Sequence, residues 1–142
     1  MTIAAILGTK TGEVVSISGE ATVAEAIALL AERRIGALPV LQGSRVVGIF
    51  SERDVVYCLA QVGAAALDKP VSAVMTAPAQ AVEPEQSVLG ALSLMTARRF
   101  RHLPVLEGEQ LVGFVSIGDL VKYRIDKIEA EAAAMRDYIQ SA

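Results

Sequence analysis

The chain has 142 residues, 53% of them hydrophobic and 20% charged, which excludes a disordered polypeptide and allows one compact core or two small fused halves. A net charge of −3 without any run of Lys or Arg argues against nucleic acid and against an anionic membrane, since both need a cationic footprint. The single cysteine rules out an internal disulfide, provides no metal-ligand spacing and fits the reducing cytoplasm.

Residues 1–13, MTIAAILGTKTGE, lack a cationic segment ahead of a long apolar stretch, so no signal peptide is expected. Nowhere does an apolar run near the roughly 18 residues of a membrane-spanning helix. EVVSIS (13–18) reads as a short extended segment. Thr22 then precedes Val23, Ala26, Ile27 and Leu30 at helical spacing; its hydroxyl is an N-cap, and Glu25 completes a capping box. LPVL (38–41), a turn centred on Gly43 and RVVGIF (45–50) form a hairpin, and Ser51 leads into a second helix, DVVYCLAQVG (54–63). GAAALDKPVSAVMTAP (63–78) links this half to the next.

The second half repeats the plan. AQAVE (79–83) is extended, and Ser87 precedes Val88, Ala91, Leu92 and Met95 without a box partner. LPVL (103–106), Gly108 and QLVGFV (110–115) make another hairpin, followed by a long helix, DLVKYRIDKIEAEAAAMRDYIQ (119–140). Shifting residues 20–56 by 65 positions aligns them with 85–121 without a gap, at 16 identities in 37 positions, so the halves are a duplication. The predicted fold class is α+β: two β-α-β-β-α units, each too small for a comfortable core, packed face to face with pseudo-two-fold symmetry. The expected divisions are 1–62 for the first repeat, 63–74 for the linker, 75–125 for the second repeat and 126–142 for a helical extension.

The pattern LPVLxGxxxVGxxSxxD, preceded by an amphipathic helix and present twice, resembles the cystathionine-β-synthase (CBS) domain. Over about residues 3–125 the chain resembles a stand-alone CBS pair, or Bateman module. VSAVMT (71–76) matches the family's lead-in to a repeat; ILGTKTGE (6–13) is a looser match.

Each Ser-x-x-Asp sits where a strand ends and a helix begins. Ser51 or Ser116, with the free N–H groups there, suits an anionic phosphate, and Asp54 or Asp119 suits the two hydroxyls of a ribose. By residue chemistry alone, a plain cap and a dipole-complementing carboxylate explain the same motif. The resemblance favours the first reading: in the family these positions line an adenosine-ligand cleft. It further implies that Gly36, Ala37, Leu38 and Pro39, and likewise Arg101, His102, Leu103 and Pro104, face the cleft ahead of the middle strand. Val15, Ile17, Ala81 and Val82 would supply the apolar wall of the base pocket.

RRIGALPVL (33–41) and RRFRHLPVL (98–106) differ where the second copy carries Arg101 and the only histidine. Carried over from the family, Arg101 and His102, joined by Arg53, would hold the phosphates of a ligand at the Asp54 site. The Asp119 site would face the uncharged Gly36 and Ala37. Arg33, Arg34, Arg98 and Arg99 close their helices, where positive charge complements the dipole. Cys58 is a small buried apolar residue. No Cys/His pair, metal cluster or other catalytic constellation is visible, so an enzyme is not expected.

Val121, Ile125, Ile128, Ala132, Met135 and Ile139 form a heptad-like stripe on the last helix. Since CBS pairs commonly dimerise, the resemblance implies a homodimer to which this helix contributes. The functional expectation is a cytoplasmic regulatory sensor of an adenosine-containing ligand: AMP, ADP, ATP or an NAD-like molecule. No cofactor is required, and a regulated protein in trans would read the ligand state. The alternative is a structural dimerisation module with a vestigial cleft.

Overall fold

Each half carries a capped helix ahead of its hairpin. In the computed structural model, which describes residues 1–10 and 12–141, Thr22 accepts a hydrogen bond from the Glu25 N–H (3.1 Å) and Glu25 accepts one from the Thr22 N–H (3.1 Å). This capping box starts α2 (Val23–Arg33). Its counterpart, α5 (Val88–Arg98), is capped only by Ser87, which accepts from the Gly90 N–H at 2.9 Å.

The first sheet has the order β1 (Ile17–Ser18), β2 (Ala37–Gln42), β3 (Arg45–Ser51). β1 runs parallel to β2 and β2 antiparallel to β3. In the second half, β4 (His102–Glu107) and β5 (Gln110–Ser116) pair in the same register: Ala37 faces Ser51, and His102 faces Ser116. The register shift after Val40 recurs after Val105. Both hairpin turns need left-handed backbone, supplied by Gly43 (φ 63°) and Gly108 (φ 65°). The expected first strand of the second half contracts to one parallel bridge, Val82 opposite Val105. Glu83 and the donor-less Pro84 end it there.

α3 (Glu52–Val62) follows β3, and α6 (Ile117–Ser141) follows β5. A 3-10 helix, Gly63–Asp68, and a single turn, α4 (Val71–Val74), join the halves; another short helix, α1 (Ile3–Leu7), precedes β1.

Two cores result, and chain order does not predict their membership. Leu38, Val40, Phe50 and Cys58 pack with Val71 of α4 in the first. Leu103, Val105, Val115 and Leu120 pack with Ile3 and Ile6 of α1 in the second. Backbone bonds show the exchange. Ile3 N–H donates to Gln86 O (2.9 Å) and Ala4 N–H to Pro84 O (2.8 Å). Val71 N–H donates to Ala21 O (2.7 Å) and Ser72 N–H to Gly19 O (3.0 Å). Each repeat's lead-in thus completes the other repeat. Glycine permits the crossing, since a Cβ on Gly48 would meet Met75 Sδ at 2.6 Å and Thr76 O at 2.8 Å, and one on Gly113 would overlap Leu7. The chain divisions at 62 and 74 therefore do not coincide with the spatial ones.

Cys58 is buried, with its thiol donating to Val55 O at 3.3 Å. Among the described residues, no helix is long and apolar enough to cross a membrane.

Candidate functional site

The hairpins and helix starts of the two repeats meet at two clefts. In each repeat the carbonyl just before the middle strand accepts from the first N–H of the following helix: Glu52 N–H to Gly36 O at 3.0 Å, Ile117 N–H to Arg101 O at 2.8 Å. This bond holds the strand start beside the Ser-x-x-Asp turn.

One cleft, of about 410 Å³, sets Ser116 and Asp119 opposite Arg34, Ile35, Gly36 and Ala37 of the first repeat. Lys10, Glu13, Val14 and Val15 close its side, with His102 and Phe114 on its floor. The other, of about 380 Å³, sets Ser51, Glu52 and Arg53 opposite Arg98, Arg99, Phe100, Arg101 and His102. Thr76, Pro78, Ala79 and Gln80 form its rim. Both volumes fall in the range of small-molecule sites.

The carboxylates are held differently. Asp54 is buried; its Oδ2 accepts from the Ser51 N–H (2.9 Å) and hydroxyl (3.2 Å), and its Oδ1 accepts from the Thr76 hydroxyl (2.9 Å). It does not line its cleft; Ser51 and Thr76 stand in front of it. Asp119 does line its cleft. Its Oδ2 accepts from the Ser116 N–H (2.8 Å) and from Lys10 Nζ (2.8 Å), and Lys10 also donates to Phe114 O (2.9 Å). Burial works hardest on the Asp119 carboxyl and would raise its pKa. The Lys10 and Ser116 bonds together outweigh that and hold it below the ordinary carboxylate value.

His102 borders both clefts and stacks on Phe114, ring centroids 5.6 Å apart and 12° from parallel. Burial lowers its pKa below 6.5; Asp119 and Glu52 oppose that shift, while Arg101 and Lys10 add to it. The folded state therefore binds fewer protons than the unfolded chain as pH falls through 6.5. His102 favours folding most at neutral pH, and that contribution is lost on acidification. Replacing His102 with Gln is expected to flatten the fall of Tm from about pH 8 to 5, read by calorimetry across that range.

Of the residues expected at the site, Val15, Gly36, Ala37, His102, Ser116 and Asp119 share the first cleft, and Gly36, Ser51, Arg53, Arg101 and His102 share the second. Leu38, Pro39, Leu103, Pro104 and Val82 are buried beneath them, Ile17 packs on the first core and Ala81 is exposed, so none of these lines a cleft. The Asp119 cleft does face Gly36 and Ala37, but other residues bring cations to it. Lead-in exchange brings Lys10 over β5, and Arg34 turns into the cleft from the end of α2. Arg34, Arg98 and Arg99, read from sequence as dipole partners, all line clefts. Their signal was the Arg doublet recurring before both LPVL segments; Lys10 and Thr76 had no local signal.

A model of the CBS domain matches the chain twice, over residues 7–61 and 71–126. The chain belongs to the CBS domain family. A CBS-domain protein from Burkholderia ambifaria has a solved structure with a TM-score of 0.84 at 40% identity, covering 89% of this chain and 95% of that one. The mitochondrial CBS domain-containing protein CBSX3 of Arabidopsis thaliana is 33% identical over 84% of this chain. The CBS pair spans only 60% of the length of that relative. Two more distant structures share the fold alone. CBSX2, solved with AMP, has a TM-score of 0.76 at 24% identity over 88% of this chain and 96% of its own. The CBS pair of protein MJ0100, solved with 5′-methylthioadenosine and S-adenosyl-L-methionine, has a TM-score of 0.79 at 21% identity over 89% and 98%.

Proposed function

We propose that this CBS pair is a regulatory sensor of adenosine-containing ligands, with unequal clefts of which the Ser51 cleft prefers phosphorylated ones. The observation carrying this is the charge set around that cleft: Arg53, Arg98, Arg99 and Arg101 against a single acidic residue, Glu52. Guanidinium groups stay charged and match phosphate geometry. The Asp119 cleft carries Lys10 and Arg34 against Glu13 and Asp119, a balanced set that suits a nucleoside with less negative charge. Arg99, on the Ser51 cleft, supports the reading further: it holds φ at 59°, where an arginine costs on the order of 1 kcal/mol and a glycine nothing. AMP in CBSX2 and S-adenosyl-L-methionine in MJ0100 belong to the same ligand class.

A ligand touching both repeats stabilises one relative arrangement of them, and a homodimer or a regulated protein in trans reads that shift; the role is regulatory, not catalytic. The free, buried Cys58 accords with a cytoplasmic setting. A thermal-shift screen with AMP, ADP, ATP, NAD and S-adenosylmethionine tests the reading. At a ligand concentration of about 100 times Kd, the native state gains roughly 2.7 kcal/mol and Tm rises. No shift with any of the five would point instead to a structural module with a vestigial cleft.

A further inference from the structure

We infer that α6 pairs with α6 of a second copy of this chain, in parallel and in register, through its apolar seam. This deepens the homodimer of the preceding reading and does not depend on which ligand binds.

The first turns of α6 pack inward through Ile117, Leu120 and Tyr123. The seam lies roughly 100° round the helix from Leu120, to the side of the core-facing stripe. Ile125, Ile128, Met135 and Ile139 are 49%, 47%, 60% and 65% exposed. Residues 127–141 continue as helix almost entirely exposed. A helical segment of that length is marginal in water by itself, so a partner on the seam would stabilise it.

Flanking charge selects the partner and its direction. With Ile125, Ala132 and Ile139 at a and Val121, Ile128 and Met135 at d, Arg124 and Glu131 fall at g and Glu129 and Arg136 at e. In a parallel pair each g side chain meets the next e of the other helix. Arg124 then meets Glu129 and Glu131 meets Arg136, each contact made twice by symmetry. None of these four residues has an ion pair within the chain; among the described residues the one salt bridge is Lys10–Asp119. An antiparallel pair over the same seam would oppose Glu129 to Glu129, Glu131 to Glu131 and Lys122 to Arg136, all repulsive. The same stripe with complementary edges in one orientation only fits a second copy better than an unrelated helix.

Sedimentation of the full chain should show a dimer, and Ile128→Glu should give a folded monomer, since Ile128 is outside the cores. Glu131→Arg and Arg136→Glu should each weaken the dimer roughly five- to thirtyfold, and the double exchange should restore it. In a Cys58→Ala background, Ile139→Cys should link to itself under mild oxidation, because an antiparallel seam would hold the two sulfurs roughly 25–30 Å apart. A monomeric native chain, a dimer indifferent to Ile128→Glu, no rescue by the double exchange, or no disulfide from Ile139→Cys in an intact dimer would each overturn the pairing. Nucleotide titration of the Ile128→Glu monomer reads the clefts separately, so a failed seam and a failed ligand site give different results.

Discussion

Ile3→Ala is expected to destabilise the protein by about 2–5 kcal/mol, with the damage in the C-terminal half. Ile3 is fully buried, yet it belongs to the core of Val88, Met95 and Leu120 rather than to that of the repeat that follows it in sequence. Removing its outer carbons leaves a cavity beneath α5 and α6 that close-packed neighbours cannot fill. Hydrogen exchange locates the effect: amides of Val105 and Val115 should exchange faster, while those of Val40 and Phe50 hold. Val71, fully buried at the matching place in the first core, supplies the mirror experiment. Val71→Ala should loosen Val40 and Phe50 first, with a smaller loss because fewer methyl groups are removed. Equal acceleration in both halves for both variants would refute the exchange as a local effect.

Arg101→Ala is expected to weaken nucleotide binding at the Ser51 cleft by roughly 10- to 100-fold, the worth of a charge-assisted hydrogen bond to phosphate. Titration calorimetry at several salt concentrations should also show a shallower salt dependence, because one fewer cation faces the ligand. Arg101 is exposed and belongs to neither core, so the fold should tolerate the change. Arg34→Ala is the companion variant, since it touches only the other cleft. Unchanged affinity and salt slope in Arg101→Ala would remove Arg101 from the phosphate site. Loss of the same size in Arg34→Ala would mean that the phosphorylated ligand prefers the Asp119 cleft.

The duplication, the fold class and the family were legible in the sequence because each rests on local patterns. LPVL and the glycines 43 and 108 encode hairpins through short apolar runs and left-handed turns. Thr22 with Glu25 encodes a helix start within four residues. The heptad stripe of α6 is a periodicity of one helix and emerges exposed as a continuous seam. The asymmetry between Gly36-Ala37 and Arg101-His102 was also plain, because aligned copies display their differences.

Tertiary structure alone decided which lead-in serves which repeat. Nothing near Ile3 or Val71 encodes it, since an apolar residue is indifferent to which of two similar cores buries it. The choice is made by backbone bonds to Pro84 and Gly19 and by glycines that let one chain segment cross another. That exchange carries Lys10 to Asp119 and Thr76 to Asp54, so the two Ser-x-x-Asp motifs, alike in sequence, end with different neighbours. Charge acts through space: Arg34, Arg98 and Arg99 looked like helix-end cations along the chain, and only packing of the repeats turned them toward the clefts.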